Sequence, residues 1–275
     1  MANYTAADVK ALREKSGAGM MDCKGALDEA DGNIEKAMEF LRLKGLKGVT
    51  KREGRTTSNG LIVARVNGGT GYLIELACET DFVAKAPKFV ELADKVADAV
   101  AAADAQTLEA ALAADLNGQS IQDAINDEAA IMGEKVELRK VAALKDAAVD
   151  AYLHRTSKDL PPQVGVLVAY EGSDADTAHD VAVHIAAFSP SVLSRDEIDA
   201  DVVATERRIA EETARNEGKP EAALPKIVEG RVTGFFKENV LLEQDFAKDT
   251  KQTVSKVLEN AGVKVSAFVR FRVGA

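Results

Sequence analysis

One stretch constrains this chain more than any other. Tyr72-Leu73-Ile74-Glu75-Leu76-Ala77-Cys78, opened by Gly71, is an aliphatic run of the kind that forms a buried strand. Just beyond it, Phe89, Leu92, Ala93, Val96, Ala97 and Val100 recur at helical spacing. Pro87 suits a first helical turn, so the helix is predicted to start near Ala86. Thr80-Asp81-Phe82-Val83 must then be a short strand-to-helix connection, in which Thr80 or Asp81 caps exposed backbone N–H groups. Phe82 either tucks beneath the helix or points outward as an anchor. The residues alone favour the tucked position, because aromatic side chains dominate cores.

The segments on either side fit a mixed α+β protein. Thr5 and Asp8 are spaced for a capping box opening a first helix that carries Val9 and Leu12, and Ser16-Gly17-Ala18-Gly19 breaks it. A second helix from about Met20 to Ala30 places Cys23, Ala26 and Leu27 on one face, and Asn33 caps a third through Ile34, Ala37, Met38 and Leu41. These make a three-helix module over residues 1–45. Met20 and Met21 straddle two faces of their helix. At least one should face solvent as a flexible contact residue, unless both pack into this small core. Residues 46–59 are predicted to be a basic linker, a solvated tether rather than an RNA contact.

From Gly60 the pattern is strand, Asn67-Gly68-Gly69 turn, strand, helix to about Ala103, further Ala-rich helix, and a strand from Val136 to Leu144. Strand candidates at Ala151–His154 and Val164–Tyr170, followed by a helix from Ala175 to Ala187, repeat that plan as an internal duplication. Asp196 to Glu217 reads as a charged helix with Ile198, Val202 and Ile209 in a stripe, and a return helix carries Leu224, Ile227, Val228 and Phe235. The seam of this hairpin can pack on itself alone or also join a second protomer. A last helix is expected over Thr250–Ala261. A closing strand should set Val265, Ala267, Val269, Phe271 and Val273 on one face, opposite Lys264, Ser266, Phe268, Arg270 and Arg272.

Charge and missing motifs narrow the function. Net charge is -10, which repels phosphate backbones and disfavours direct nucleic-acid binding. No apolar run reaches membrane-span length, and Cys23 and Cys78 behind no secretory leader suggest a reduced, cytoplasmic protein. The sequence holds no phosphate-binding loop, no Gly-x-Ser-x-Gly, no Cys-x-x-Cys and no His-Glu-x-x-His. His179 and His184 are five residues apart, the wrong spacing for two ligands on one helix face, and His184 reads as a satisfied core residue. The expectation is therefore a binding protein with no catalytic residues, no metal and no cofactor.

Three segments carry a resemblance. Gly17-Ala18-Gly19-Met20-Met21-Asp22-Cys23-Lys24 resembles the N-terminal segment of the bacterial translation elongation factor Ts family. Thr80-Asp81-Phe82-Val83-Ala84-Lys85 is similar to that family's second signature, and Phe268-Val269-Arg270-Phe271-Arg272-Val273-Gly274 to its last core strand. The matches lie in family order and bracket nearly the whole chain. The resemblance implies a guanine-nucleotide exchange factor for elongation factor Tu. It implies an N-terminal module of ubiquitin-associated type and a core of two similar α+β subdomains with antiparallel sheets, 60–145 and 146–189 with 238–275. It also implies a coiled-coil hairpin inserted at 190–237. Arg13, Met20 and Met21 fall where the family's module grips the GTPase, and Thr80, Asp81, Phe82 and Val83 where its core disturbs the GTPase's Mg²⁺ site. His154 matches a family histidine near the contact surface. Longer members carry a further C-terminal helical module, so a smaller interface is expected here. The alternative is a non-catalytic scaffold that binds a partner through the N-terminal module without affecting nucleotide.

Overall fold

The computed structural model describes residues 3–16 and 18–275; Gly17, part of the expected break after the first helix, lies outside the described residues. Three helices come first: α1 (Ala6–Ser16), α2 (Met20–Glu29) and α3 (Ile34–Arg52). Thr5 N donates to Asp8 Oδ2 at 2.7 Å and Asp8 N to Thr5 Oγ1 at 3.3 Å, closing the capping box. Asn33 Oδ1 caps α3 by accepting from Lys36 N at 3.0 Å. Leu12, Cys23, Ala26, Leu27 and Ala37 form the core of this bundle.

The segment expected to be a tether is not one. α3 continues to Arg52, and a Cβ added at Gly45 would lie 2.5 Å from Ala130 Cβ, so two helices pass in close contact there. Arg42 reaches Asp127 in a two-point contact at 3.0 and 2.8 Å. Beyond the helix, Thr57 is buried and bonded to Glu137, and Arg55 pairs with Glu79. Tertiary contacts thus order a sequence whose glycines and charges look loose locally.

β1 (Asn59–Asn67) and β2 (Thr70–Cys78) pair across a two-residue Gly68-Gly69 turn. There follow α4 (Asp81–Ala84), α5 (Pro87–Ala102), α6 (Leu108–Ala113), the short pair β3 (Asp115–Leu116) and β4 (Gln119–Ser120), α7 (Ile121–Met132) and β5 (Val136–Lys145). β5 returns beside β2, giving the order β1-β2-β5. The second half runs β6 (Ala148–His154), β7 (Val164–Glu171), α8 (Ala175–Phe188), α9 (Ala200–Asn216), α10 (Leu224–Asn239), β8 (Asp245–Phe246), β9 (Asp249–Thr253), α11 (Val254–Ala261) and β10 (Lys264–Arg272). Its sheet has the order β10-β7-β6, and the strand pairs of both sheets are antiparallel. The chain is therefore α+β.

β2 and β7 are each central in their sheet and buried on both faces. On β2, Tyr72, Ile74 and Leu76 meet Phe89, Leu92 and Val96 of α5. On β7, Val166, Val168 and Tyr170 meet α8 and α11. The opposite faces meet each other: Ile62 and Leu73 of the first sheet pack with Val149, Leu167 and Ala169 of the second. The layers are helix, sheet, sheet, helix. A Cβ at Gly165 would stand 2.4 Å from Ile62 Cγ2 and 2.9 Å from Leu73 Cδ1. One at Gly71 would stand 2.5 Å from Val149 Cγ1 and 3.2 Å from Leu167 Cδ2. Each central strand thus gives up a side chain where the other sheet's aliphatic groups pass.

Three local expectations are corrected. α9 starts only at Ala200, capped by Asp199, and Val202 and Ile209 are exposed; Ala210 and Ala214 are its buried residues, and Val203 and Ala210 pack with Val228, Val232 and Phe236 of α10. Small alanines at the seam let the bulkier α10 side chains approach. The last helix starts at Val254, because Asp249–Thr253 pairs with β8 and Thr253 caps the helix instead. The alternation of β10 breaks at a register shift between Val265 and Ala267. Val265 therefore faces the helices, while Ala267, Val269, Phe271 and Val273 face the other sheet. No helix among the described residues is long and apolar enough to cross a membrane.

Replacing Gly165 with Ala should destabilise the protein by about 1 to 3 kcal/mol through overpacking between the sheets. A lower denaturant midpoint with unchanged slope would register it, and an unchanged midpoint would refute the close-approach role.

Candidate functional site

The antiparallel register builds the site. Cys78 stands opposite Val136, so the residues just after β2 lie beside those just before β5. The Glu79 carboxylate accepts from Lys135 N at 2.6 Å and from Arg55 Nη1 at 3.2 Å. Thr80 meets Glu134: Thr80 N donates to Oε2 at 3.0 Å and Thr80 Oγ1 to Oε1 at 2.6 Å. Gly133, left-handed at φ 77°, ends α7 and aims Glu134 at this point. No local signal marks Glu134 in the sequence, since it lies 54 residues from its partner.

With Thr80 clamped, its hydroxyl caps α4 by accepting from Val83 N at 3.4 Å. The predicted connection is thus one helical turn. Ala84 is buried and Val83 packs against the core beneath α5. The turn carries Phe82 to the opposite side, where it is 73% exposed. The tucked expectation is therefore overturned: Val83 and Ala84 occupy the inward positions. Lys85 Nζ sits 4.6 Å from the centre of the Phe82 ring and 3.2 Å from Asp81 Oδ2, so it braces both side chains. Beneath the turn, burial pushes the Cys78 thiol pKa up to about 12, with the nearby Glu134 carboxylate adding to the shift. Its Sγ–H donates to Thr80 O at 3.2 Å, so Cys78 is a neutral structural donor and not a nucleophile.

The other expected contact residues are also at the surface. Met20 and Met21 are 60% and 76% exposed at the start of α2, and Arg13 is exposed on α1. His154 is exposed at the end of β6. A groove of about 310 Å³ lies between the turn and β6, lined by Lys85, Val90, Leu153, Arg155, Pro161 and Pro162. It brings the neighbourhoods of Phe82 and His154 together. Met20 and Met21 stand apart from this groove, on the N-terminal bundle. His184 is buried, its Nε2 at 2.9 Å from Gln244 Oε1 and its Nδ1 accepting from Ala247 N at 3.2 Å, a satisfied core residue as expected. Among the described residues, no group of three or more His, Cys, Asp or Glu is placed to hold a metal ion.

The sequence model of the family described as "Elongation factor TS" matches residues 79–275, starting one residue before the Thr80 cap. The chain belongs to the elongation factor Ts family. Relatives of that name agree over its whole length. The elongation factor Ts of Renibacterium salmoninarum is 62% identical over 278 residues, that of Micrococcus luteus 61% over 277, and that of Paenarthrobacter aurescens 60% over 277, each covering 100% of both chains. The family is one of translation elongation, and the clamped turn lies within the matched region.

Thr80→Ala should remove the cap and one of the two Glu134 contacts, lowering stability by about 1 kcal/mol. Faster amide hydrogen exchange at Val83 than in the parent would mark the loosened turn, and an unchanged rate would show that the cap does not hold it.

Proposed function

We propose that this chain is a guanine-nucleotide exchange factor that binds elongation factor Tu and promotes GDP release during translation elongation. One observation carries the reading: Phe82 is an exposed aromatic on a turn pinned through Thr80 to Glu134. A docking residue held in this way loses little conformational entropy when it inserts into a partner.

The proposed mechanism is displacement. A GTPase holds GDP through Mg²⁺ and through backbone donors around the phosphates. Phe82 wedges between partner side chains, and Asp81, released from Lys85, draws away groups that order the metal's water shell. Thr80 and Val83 keep the turn in shape. Loss of Mg²⁺ leaves phosphate charge uncompensated and GDP leaves. The factor favours the nucleotide-free partner, so factor and nucleotide each weaken the other's binding. No covalent step is required of this chain.

In the same reading the helices of residues 1–45 are a module of ubiquitin-associated type that grips the GTPase through Arg13, Met20 and Met21, with 46–59 joining it to the core. Residues 60–145 form one core subdomain, and 146–189 with 238–275 the other, whose His154 lies at the contact surface. Residues 190–237 are an inserted coiled-coil hairpin, and a homodimer contact there would use the exposed Val202 and Ile209 of α9. The chain works in the cytoplasm without direct contact to nucleic acid.

Release of fluorescent GDP from elongation factor Tu tests the proposal. The intact protein should accelerate release, and Phe82→Ala should lower the rate at least about tenfold with folding intact, a change of some 1.4 kcal/mol. Binding without acceleration would leave only a scaffold. Acceleration undiminished in the variant would remove Phe82 from the mechanism.

A further inference from the structure

The contact role proposed for His154 leaves open what its ring offers a partner. The two-residue period of β6 sets Asp150, Tyr152 and His154 on the face toward α8, while Val149 and Ala151 face the other sheet. The three polar side chains join into a file with one residue from α8. His154 Nδ1 lies 3.1 Å from the Tyr152 hydroxyl oxygen. The His179 ring stands edge-on to the Tyr152 ring, centroids 5.7 Å apart at 87°. His179 Nδ1 is 3.0 Å from Asp150 Oδ2. Asp150 is the half-buried end of the file and His154 the exposed end. Burial raises the pKa of the Asp150 carboxyl, and His179 opposes that rise.

A neutral imidazole carries one N–H and one lone-pair nitrogen, and the partner of one nitrogen decides which is which. A phenol is the stronger acid of this pair and an imidazole nitrogen the stronger base. Tyr152 O–H therefore donates to Nδ1, and the ring proton resides on Nε2. We infer that Tyr152 is a positioning residue for partner docking: it holds His154 in the tautomer that presents Nε2–H outward to an acceptor oxygen of the partner. His179, fixed by Asp150, braces the Tyr152 ring from its other side. The inference rests on His154 lying in the interface with elongation factor Tu.

The test is a double-mutant cycle on the full chain with Tyr152→Phe, His154→Ala and both together. Affinity for elongation factor Tu is measured in mildly alkaline buffer, and ¹⁵N NMR of the labelled His154 ring reads the tautomer. Tyr152→Phe removes only the hydroxyl and should leave thermal unfolding unchanged. It should weaken binding about three- to tenfold, the scale of one net hydrogen bond. It should have no further effect in the His154→Ala background. The parent spectrum should show Nε2–H, and the Phe variant a mixture of tautomers. Equal weakening in both backgrounds, no weakening in the parent background, or a parent spectrum with Nδ1–H would each overturn the inference. Parent-like binding by His154→Ala would overturn it too, through His154's place in the interface; the exchange reading would still stand or fall on Phe82→Ala.

Discussion

The contact between the two sheets is the constraint on which the rest of the structure depends. Both central strands are buried on both faces and, Glu75 apart, apolar there, so each sheet needs a cover on each side. Helices cover the outer faces, and the sheets cover one another. They can approach because Gly71 and Gly165 yield space reciprocally to Leu167 and Val149 on one side and to Ile62 and Leu73 on the other. The consequence reaches the surface. The turn that carries Phe82 leaves the end of β2, and His154 ends β6, which packs in the second sheet. Locking the sheets fixes the separation of the two. A protein that acts by docking gains from this, since rigidity set during folding need not be supplied during binding.

One edge of that contact is polar. Glu75 is fully buried on β2, on the face that also carries Leu73. Arg139 Nη1 lies 3.3 Å from Oε1 and Lys140 Nζ 3.4 Å from Oε2, and Gly274 N donates to Oε1 at 3.1 Å. Arg139 reaches it because the pairing of β2 with β5 shifts register between Glu75 and Leu76, leaving an unpaired residue on β5. Arg139 also bonds Thr57, so the same charge cluster secures the segment ahead of β1 and the amide of Gly274 beyond β10. A buried carboxylate is poor value as a stabiliser, but removing one partner strands the others. It therefore fixes which segments meet more than how tightly they do.

Local chemistry was legible in the sequence and distant chemistry was not. The Thr5–Asp8 box, the Asn33 cap and Pro87 at the start of α5 each depend on residues within a few positions and follow from the sequence, and of the two cap candidates Thr80 and Asp81 the structure uses Thr80. Glu134, Asp150 with His179, and the paired glycines join residues from separate elements, and one sequence contains no sign of such partners. The departures from local pattern have the same origin. Residues 46–52 look like a tether until α3 is set against α7, where Arg52 Nη1 donates to Ala129 O at 3.3 Å. The even alternation of β10 conceals a shift that only its pairing with β7 imposes. Val202 and Ile209 suggest a seam by hydrophobicity, whereas the real one is set by where small residues allow two helices to approach.

Phe82 takes the outward of its two open positions for a more informative reason. Burial of an aromatic is worth about 1.5 to 3 kcal/mol, so a chain free to choose would tuck it. This fold does not leave that choice. Register puts Thr80 beside Glu134, the cap fixes the helical phase of the next turn, and that phase sends Val83 and Ala84 inward and Phe82 out. A lysine ammonium lies over the exposed ring. Burial energy forgone on folding is still available when a partner covers the ring, and the clamp prevents the turn from collapsing to recover it earlier. A departure from the general rule that aromatics go inside, enforced by the contacts of Thr80 with Glu134 and with Val83 N, is what distinguishes this surface from the exposed apolar residues scattered elsewhere on the molecule.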